Sequence, residues 1–279
     1  MRGRVDLHTH TNASDGELEP AGLVRLALER GLSVIALTDH DTVAGLDATI
    51  EAARGTGLEV IPGVELSCDV PDAEVHVLGY FIDWHNRHFN EMLVKFRDGR
   101  YGRAERMVQK LTALGAPITF ERVKEIAGDA SLGRPHVAQA LLEAGHVANV
   151  TEAFDKYIGR NGPAYVERFR ITPEDAVELI LSAGGVASLA HPREVTSFVE
   201  PMVRAGMQGI EVHYGLYDDQ TIQGLARLAR QYGLIATGGS DFHGLNKMGH
   251  MGGLGETHVP PEVVDELRRK AEEIKRERA

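Results

Sequence analysis

The chain has 279 residues, 43% of them hydrophobic, enough to bury one sizeable core with a smaller region appended. Its formal net charge of -11 argues against a protein that grips long duplex nucleic acid by bulk electrostatics. A single cysteine excludes a disulfide framework and a cysteine-rich zinc site, and the lack of a signal-peptide core or of any run long enough to span a bilayer leads us to expect a cytoplasmic protein.

The first strand is expected over Arg4 to His8. It carries Val5-Asp6-Leu7-His8-Thr9-His10, in which two imidazoles two residues apart point to the same side of an extended chain and can grip one ion. The turn Thr11 to Gly16 follows, then a helix from about Glu19 to Arg30 that stops at Gly31. A second strand, Ser33 to Thr38, is almost unbroken in its apolar character, as a strand buried on both faces would be, and ends in Asp39-His40-Asp41. A helix from Val43 to Arg54 precedes a third strand, Leu58 to Val64, ending in Glu65. The fourth, Glu74 to Phe81, has His76 near its start.

Alternation then breaks. Residues 86–170 read as helices and turns: Glu91 to Leu114, a helix capped by Thr119, another from Arg134 to Glu143, and a connection from Gly159 to Arg170. This region is expected to be a helical lid inserted into a discontinuous domain of residues 1–85 and 171–279. Alternation resumes at Thr172-Pro173-Glu174-Asp175, with a cap, a proline and two acids opening a helix. The fifth strand, Val186 to Ala190, ends in His191. A short helix, Val195 to Ala205, follows it. The sixth strand, Gly209 to Val212, ends in His213, and a helix spans Asp219 to Tyr232. The seventh, Leu234 to Thr237, ends in Gly238-Gly239-Ser240-Asp241-Phe242-His243. Pro261 to Ala279 reads as a solvated, weakly amphipathic helix.

Seven strands alternating with helices imply an α/β fold with a parallel sheet and right-handed crossovers. The ligand candidates come from nearly every strand, and only a closed barrel brings all those ends together. The candidates are His8, His10, Asp15, His40, Glu65, His76, His191, Asp241 and His243. His76 stands apart because it lies near a strand start. Nine donors suit two or three divalent ions, and the imidazole–carboxylate mixture suits Mn, Zn or Fe better than Mg or Ca. Three dications outweigh three carboxylates, so the site would attract an anion inside an acidic protein. Such ions lower the pKa of water and absorb charge that develops on a phosphoryl group. His213 is the candidate acid or phosphate contact, and Asp241 and Glu65 join it among the catalytic candidates. Asp39 and Asp41, which flank His40, are expected to orient ligands through hydrogen bonds. Cys68 reads as a small buried core residue.

Six segments in order resemble the PHP family, named for polymerase and histidinol phosphatase domains. They are Asp6-Leu-His-Thr-His10, Ser14-Asp15-Gly16, Leu37-Thr-Asp-His-Asp-Thr42, Pro62-Gly-Val-Glu65, Ala190-His-Pro192 and Gly239-Ser-Asp-Phe-His243. The resemblance implies a distorted seven-stranded barrel and a trinuclear metal centre. One ion would take His8, His10, Glu65 and Asp241. A second would share Glu65 and take His76 and His191, and the third would take Asp15, His40 and His243. Asp15 stands where some members have histidine, which bears on metal identity. The central helical insertion and Gly133-Arg-Pro-His136 look like the bacterial nucleotide phosphatase branch. That branch removes the 3'-phosphate of nucleoside 3',5'-bisphosphates, hydrolyses AMP or trims short RNA from its 5' end, by attack of a metal-bridging hydroxide. Arg134, His136 and Arg160 are the expected substrate contacts, Arg134 through its planar fork. Arg168 and Arg170 are weaker candidates. The expected partner is a small phosphorylated nucleotide or the end of a short single-stranded RNA. A histidinol-phosphate-type phosphatase and a catalytically weak metal-binding module are the alternatives. An amidohydrolase on a similar barrel would want a lysine on a strand end, and no expected strand end carries one.

Overall fold

The computed structural model describes residues 3–70, 73–128, 132–166, 171–245 and 253–278. Seven strands form one sheet in sequential order: β1 Arg4–Thr9, β2 Leu32–Leu37, β3 Glu59–Val70, β4 Ala73–Tyr80, β5 Val186–Leu189, β6 Gly209–Tyr214 and β7 Ile235–Gly239. The sheet curls until its two edges meet. Beyond the end of β7, Phe242 bridges to Thr9, and its backbone N–H donates to the His8 carbonyl at 3.3 Å. Gly239 makes this approach possible, because a Cβ there would lie 2.4 Å from the Cβ and backbone nitrogen of His8.

The sheet is not wholly parallel, contrary to the expectation from alternation. β4 runs antiparallel to both β3 and β5, while the other neighbouring pairs are parallel. The cause is local. β3 does not stop at Glu65 but continues to Val70 and returns directly as a hairpin, with no helix between the strands to carry a parallel crossover. The reversal accounts for His76. The start of an antiparallel strand lies at the same barrel end as the finish of its parallel neighbours, and Ser67 of β3 faces His76 in the ladder. Glu65 is mid-strand, yet it lies three residues past Pro62, the last residue paired with β2, so it too reaches that end.

In the barrel unit the helices are α1 Pro20–Glu29, α2 Leu46–Ala53, α7 Pro173–Ser182, α8 Val199–Arg204, α9 Asp219–Tyr232 and α10 Glu262–Arg278. Their ends follow the sequence chemistry. Thr172 and Asp175 exchange reciprocal hydrogen bonds at the start of α7, at 3.1 and 3.3 Å. Asp218 caps α9, which ends at Gly233 with φ of 65°. Two 3-10 turns follow β5: Pro192–Glu194 precedes the expected helix, and Thr196–Phe198 replaces its first part. The α10 segment departs from its solvated reading: Val263, Val264, Leu267, Ala271 and Ile274 are buried along one face. Its many charges occupy the other face and hide the stripe in any average over the segment.

Compactness divides the chain into residues 1–90 with 171–279 and residues 91–170. The second unit holds most of α3 Arg87–Ala113, then α4 Phe120–Ala127, α5 Arg134–Glu143 and α6 Val150–Ala153, with a π-helical turn at Phe154–Ile158. Met107, Leu111, Val123, Val137, Leu141 and Ile158 give it a core of its own. Thr119 caps α4 by accepting from the Arg122 N–H at 3.2 Å. Among the described residues, no helix is long and apolar enough to cross a membrane.

Candidate metal centre

All nine expected donors meet at the barrel end reached by the finishing ends of the parallel strands. Eight of them form three overlapping groups whose donor atoms lie within 4.8 Å of one another: His8, His10, Glu65 and Asp241; His10, Asp15, His40 and His243; and His40, Glu65 and His76; the ninth, His191, joins through Glu65. Glu65 is central. Its Oε2 lies 3.1 Å from His8 Nε2, 3.3 Å from His10 Nε2 and 3.3 Å from His40 Nδ1. Its Oε1 lies 2.9 Å from His76 Nδ1 and 3.2 Å from His191 Nε2. Asp241 Oδ1 approaches His8 and His10 Nε2 at 3.3 and 3.2 Å, and Asp15 Oδ1 lies 3.1 Å from His243 Nε2.

These donors fit divalent ions. Ligands on opposite sides of an ion, each about 2.1 Å from it, are about 4.2 Å apart. Each group has close to that spread. Both ring nitrogens of His10, Nδ1 of His40 and Nε2 of His243 are buried and make no hydrogen bond, although carboxylate oxygens lie close by. Nitrogens so placed crowd a common point instead of pointing at single partners. His191 and Asp241 also hold left-handed backbones, with φ of 28° and 55°, a strain that the surrounding structure must maintain.

The electrostatics are those of a cluster of opposite charges. Burial opposes ionisation of Glu65, but His40, His8 and His76 pull its carboxyl well below the usual range. Asp241 is lowered against the same burial by His8 and His10, and Asp15 by His40 and His243. Burial depresses His10, yet the Asp241 and Glu65 carboxylates raise it to about 10. His40 goes the other way, to about 3, because burial outweighs Glu65 and Asp15.

A surrounding layer fixes the donors. Asp39 accepts from the Thr11 N–H and hydroxyl, both at 2.7 Å, and from the Ser14 hydroxyl at 2.6 Å, so it ties down the turn that carries Asp15. Asp41 accepts from the Ser67 N–H at 2.9 Å, which joins the His40 segment to β3. Three members of this layer were not singled out from sequence. Glu211, fully buried on β6, lies 3.0 Å from His8 Nδ1 and accepts from the His191 N–H at 2.7 Å. Asp6 accepts from the Ser240 and Gly255 N–H groups at 2.9 and 2.7 Å. The Tyr214 hydroxyl donates to Asp241 Oδ2 at 2.9 Å. A signal for Glu211 and Asp6 existed: each is a lone acid inside an apolar strand, a position too costly to keep without a partner.

A register shift between Glu211 and His213 breaks the alternation of β6, so Glu211 and Tyr214, three residues apart, both reach the donors. His213 is half-buried, and burial and the neighbouring His258 both lower its pKa. None of the three donor groups contains it. Arg134, His136 and Arg160 belong to the helical unit. Arg134 lies over the Phe154 ring at 5.6 Å, and His136 Nδ1 accepts from the Gly133 N–H at 2.9 Å, closing the first turn of α5. Arg168 and Arg170 lie outside the described residues.

Glu211→Gln is expected to weaken metal binding about 10- to 100-fold, because the amide removes the charge facing His8 and one acceptor of the pair that holds His8 and His191. Titration of the metal-free protein with Mn measures this, and an unaltered affinity would leave Glu211 a packing role only.

Residues 6–159 match the PHP domain family. The chain is 36% identical over 251 residues to a 5'-3' exoribonuclease of Haemophilus influenzae, covering 87% of this chain and 91% of that one. It is 33% identical over 276 residues to a 3',5'-nucleoside bisphosphate phosphatase of Chromobacterium violaceum, covering 96% of each. A crystal structure from Bifidobacterium adolescentis, assigned to the metal-dependent phosphoesterases, superposes with a TM-score of 0.83 at 31% identity over 95% of this chain and 96% of that one.

Proposed function

The chain belongs to the PHP family and is a metal-dependent phosphoesterase, and we propose that its substrates are phosphorylated nucleotides. The first candidate is a nucleoside 3',5'-bisphosphate, which would lose its 3'-phosphate. AMP and the 5' end of a short RNA belong to the same class. The observation that carries this reading is the gathering of nine imidazole and carboxylate donors, Glu65 central among them, at one barrel end. The two named relatives, which match nearly the whole chain, support nucleotides as the substrate class.

Three ions fit the donor set. One would lie among His8, His10, Glu65 and Asp241, one among Glu65, His76 and His191, and one among Asp15, His40 and His243. Mn is our first choice, with Zn or Fe as alternatives. When bound, they supply Lewis acidity toward the phosphoryl oxygens and acidify water near neutral pH. The chain's own residues do the rest. Glu211 holds His8 in one ring orientation and fixes the backbone of the strained His191. Tyr214 holds one oxygen of Asp241, leaving the other toward His8 and His10. Asp39 immobilises the turn of Asp15. Such preorganisation lets the site meet developing charge without reorganising.

Arg134, His136 and Arg160 remain our proposed substrate contacts in the helical unit, the proposed lid. Arg134→Ala is expected to raise KM for the phosphorylated substrate on the order of tenfold, the loss of one charge-assisted contact, with metal content unchanged. Equal kinetics would leave Arg134 a structural role, such as its place over Phe154. His213 is retained as a phosphate contact outside the donor groups. The single cysteine is buried, which fits the cytoplasm in which we place the protein.

The test of the reaction is phosphate release, with Mn, from adenosine 3',5'-bisphosphate, AMP, histidinol phosphate and a short 5'-phosphorylated RNA. Preference for the bisphosphate, AMP or the RNA supports the reading. Turnover of histidinol phosphate alone would keep the metal site and replace the substrate.

A further inference from the structure

The two most exposed members of the donor cluster are Asp15, at 40%, and His191. His191 is the most exposed of its imidazoles, at 27% against 0 to 17% for the other five. A row of rings leads outward from it. The Tyr214 ring lies 6.0 Å from the His191 ring, and the Tyr217 ring 4.9 Å beyond that. The Arg193 guanidinium carbon lies 5.9 Å from the Tyr217 centroid. His191 and Arg193 come from the turn after β5, Tyr214 from the end of β6 and Tyr217 from the connection between β6 and α9. Neither Tyr217 nor Arg193 belongs to any donor group.

Two features make the outer pair more than surface. The Tyr217 hydroxyl accepts from the Arg193 backbone N–H at 3.1 Å, so the ring is fixed in orientation before anything binds. The Arg193 side chain is itself 58% exposed, and its link to Glu194 is a solvent-exposed contact at 3.3 Å, a kind that contributes little. An anchored aromatic face beside a movable planar cation is the pairing that proteins use to hold flat nucleobases.

We propose that Tyr217 and Arg193 form the base site of this phosphoesterase, holding the nucleobase of the substrate between ring and guanidinium while its phosphate lies at the donor cluster. The inference rests on the nucleotide reading above and adds to it the residues that tell a nucleotide from another phosphomonoester. The spacing permits it. A flat ring in contact with two planes needs them about 7 Å apart, twice a van der Waals contact. The observed 5.9 Å asks Arg193 to open by about one ångström. Tyr214, between the two places, is held by Asp241 and forms the inner wall.

The experiment compares KM for adenosine 3',5'-bisphosphate with that for ribose 5-phosphate, which carries no base, using the full chain with Mn. Where a compound is not turned over, its inhibition constant against the bisphosphate serves. Tyr217→Leu is expected to raise KM for the bisphosphate on the order of tenfold at nearly constant kcat, the loss of one stacking contact, with the effect confined to the base-bearing compound. Tyr217→Phe keeps the ring and is expected to stay within about twofold of the wild type, which separates stacking from the hydroxyl's tether. Arg193→Ala is expected to follow the leucine variant in direction. Equal changes for both compounds in Tyr217→Leu, or no change for either, would overturn the base site while leaving the nucleotide reading intact. No phosphate release by the wild type from the bisphosphate, AMP or the RNA would overturn that reading and the base site together.

Discussion

Chelation of the divalent ions is expected to abolish phosphate release and to lower the melting temperature on the order of 10 °C, with both restored by Mn. An ion present at a thousand times its dissociation constant stabilises the folded state by about 4 kcal/mol. For a chain of this size each kcal/mol moves the midpoint by about 2–4 °C. The structure explains why the folded state depends on this binding. Glu65, Asp241 and Glu211 are buried among imidazoles, and such charges are costly unless neutralised. Without ions the neutralising charge must come from protons, and the raised pKa values of His8 and His10 place them there. Metal binding therefore displaces protons. Calorimetry in two buffers of different ionisation enthalpy should reveal that release. A melting temperature and activity indifferent to chelation would remove the metal centre from the account.

The ligand motifs were legible because each couples a strand end to a donor, and strand ends are marked by the change from apolar runs to polar residues. Leu37-Thr-Asp-His40 and Gly239-Ser-Asp241 are of this kind. The reversed β4 was not legible. Period-2 alternation carries no direction, and the missing helix between β3 and β4 was the only sign that the chain doubles straight back. The contact of Tyr214 with Asp241 was hidden for a related reason. A bulge shifts every later side chain to the other face, and nothing in Glu211-Val-His-Tyr214 announces it. Glu211 itself was visible as an acid in an apolar strand. Its role depends on His8, 203 residues away, a pairing that only the closed barrel creates. The buried stripe of α10 was obscured by the arginines, lysines and acids of its outer face, which dominate the composition of the segment.

Glu65→Gln is expected to reduce kcat by at least about a thousandfold, the loss of several kcal/mol of charge stabilisation, and to lower the bound metal by one ion or more. The argument turns on the two oxygens of one side chain. Oε2 adjoins His8, His10 and His40, and Oε1 adjoins His76 and His191, so the carboxylate belongs to two of the three donor groups. An amide offers one oxygen and one NH2, and the NH2 cannot ligate a cation. One group must lose a donor, and both lose the negative charge. Asp241→Asn is the informative contrast. Asp241 belongs to one group only, and its Oδ2 is already engaged by Tyr214. Its amide is also expected to abolish turnover with the fold retained, but to retain more metal than the Glu65 variant. Metal content by mass spectrometry, with circular dichroism to verify folding, orders the two. Equal metal loss in both variants would mean that Glu65 is not shared between ions. Full metal content and near-normal turnover in Glu65→Gln would remove it from the centre altogether.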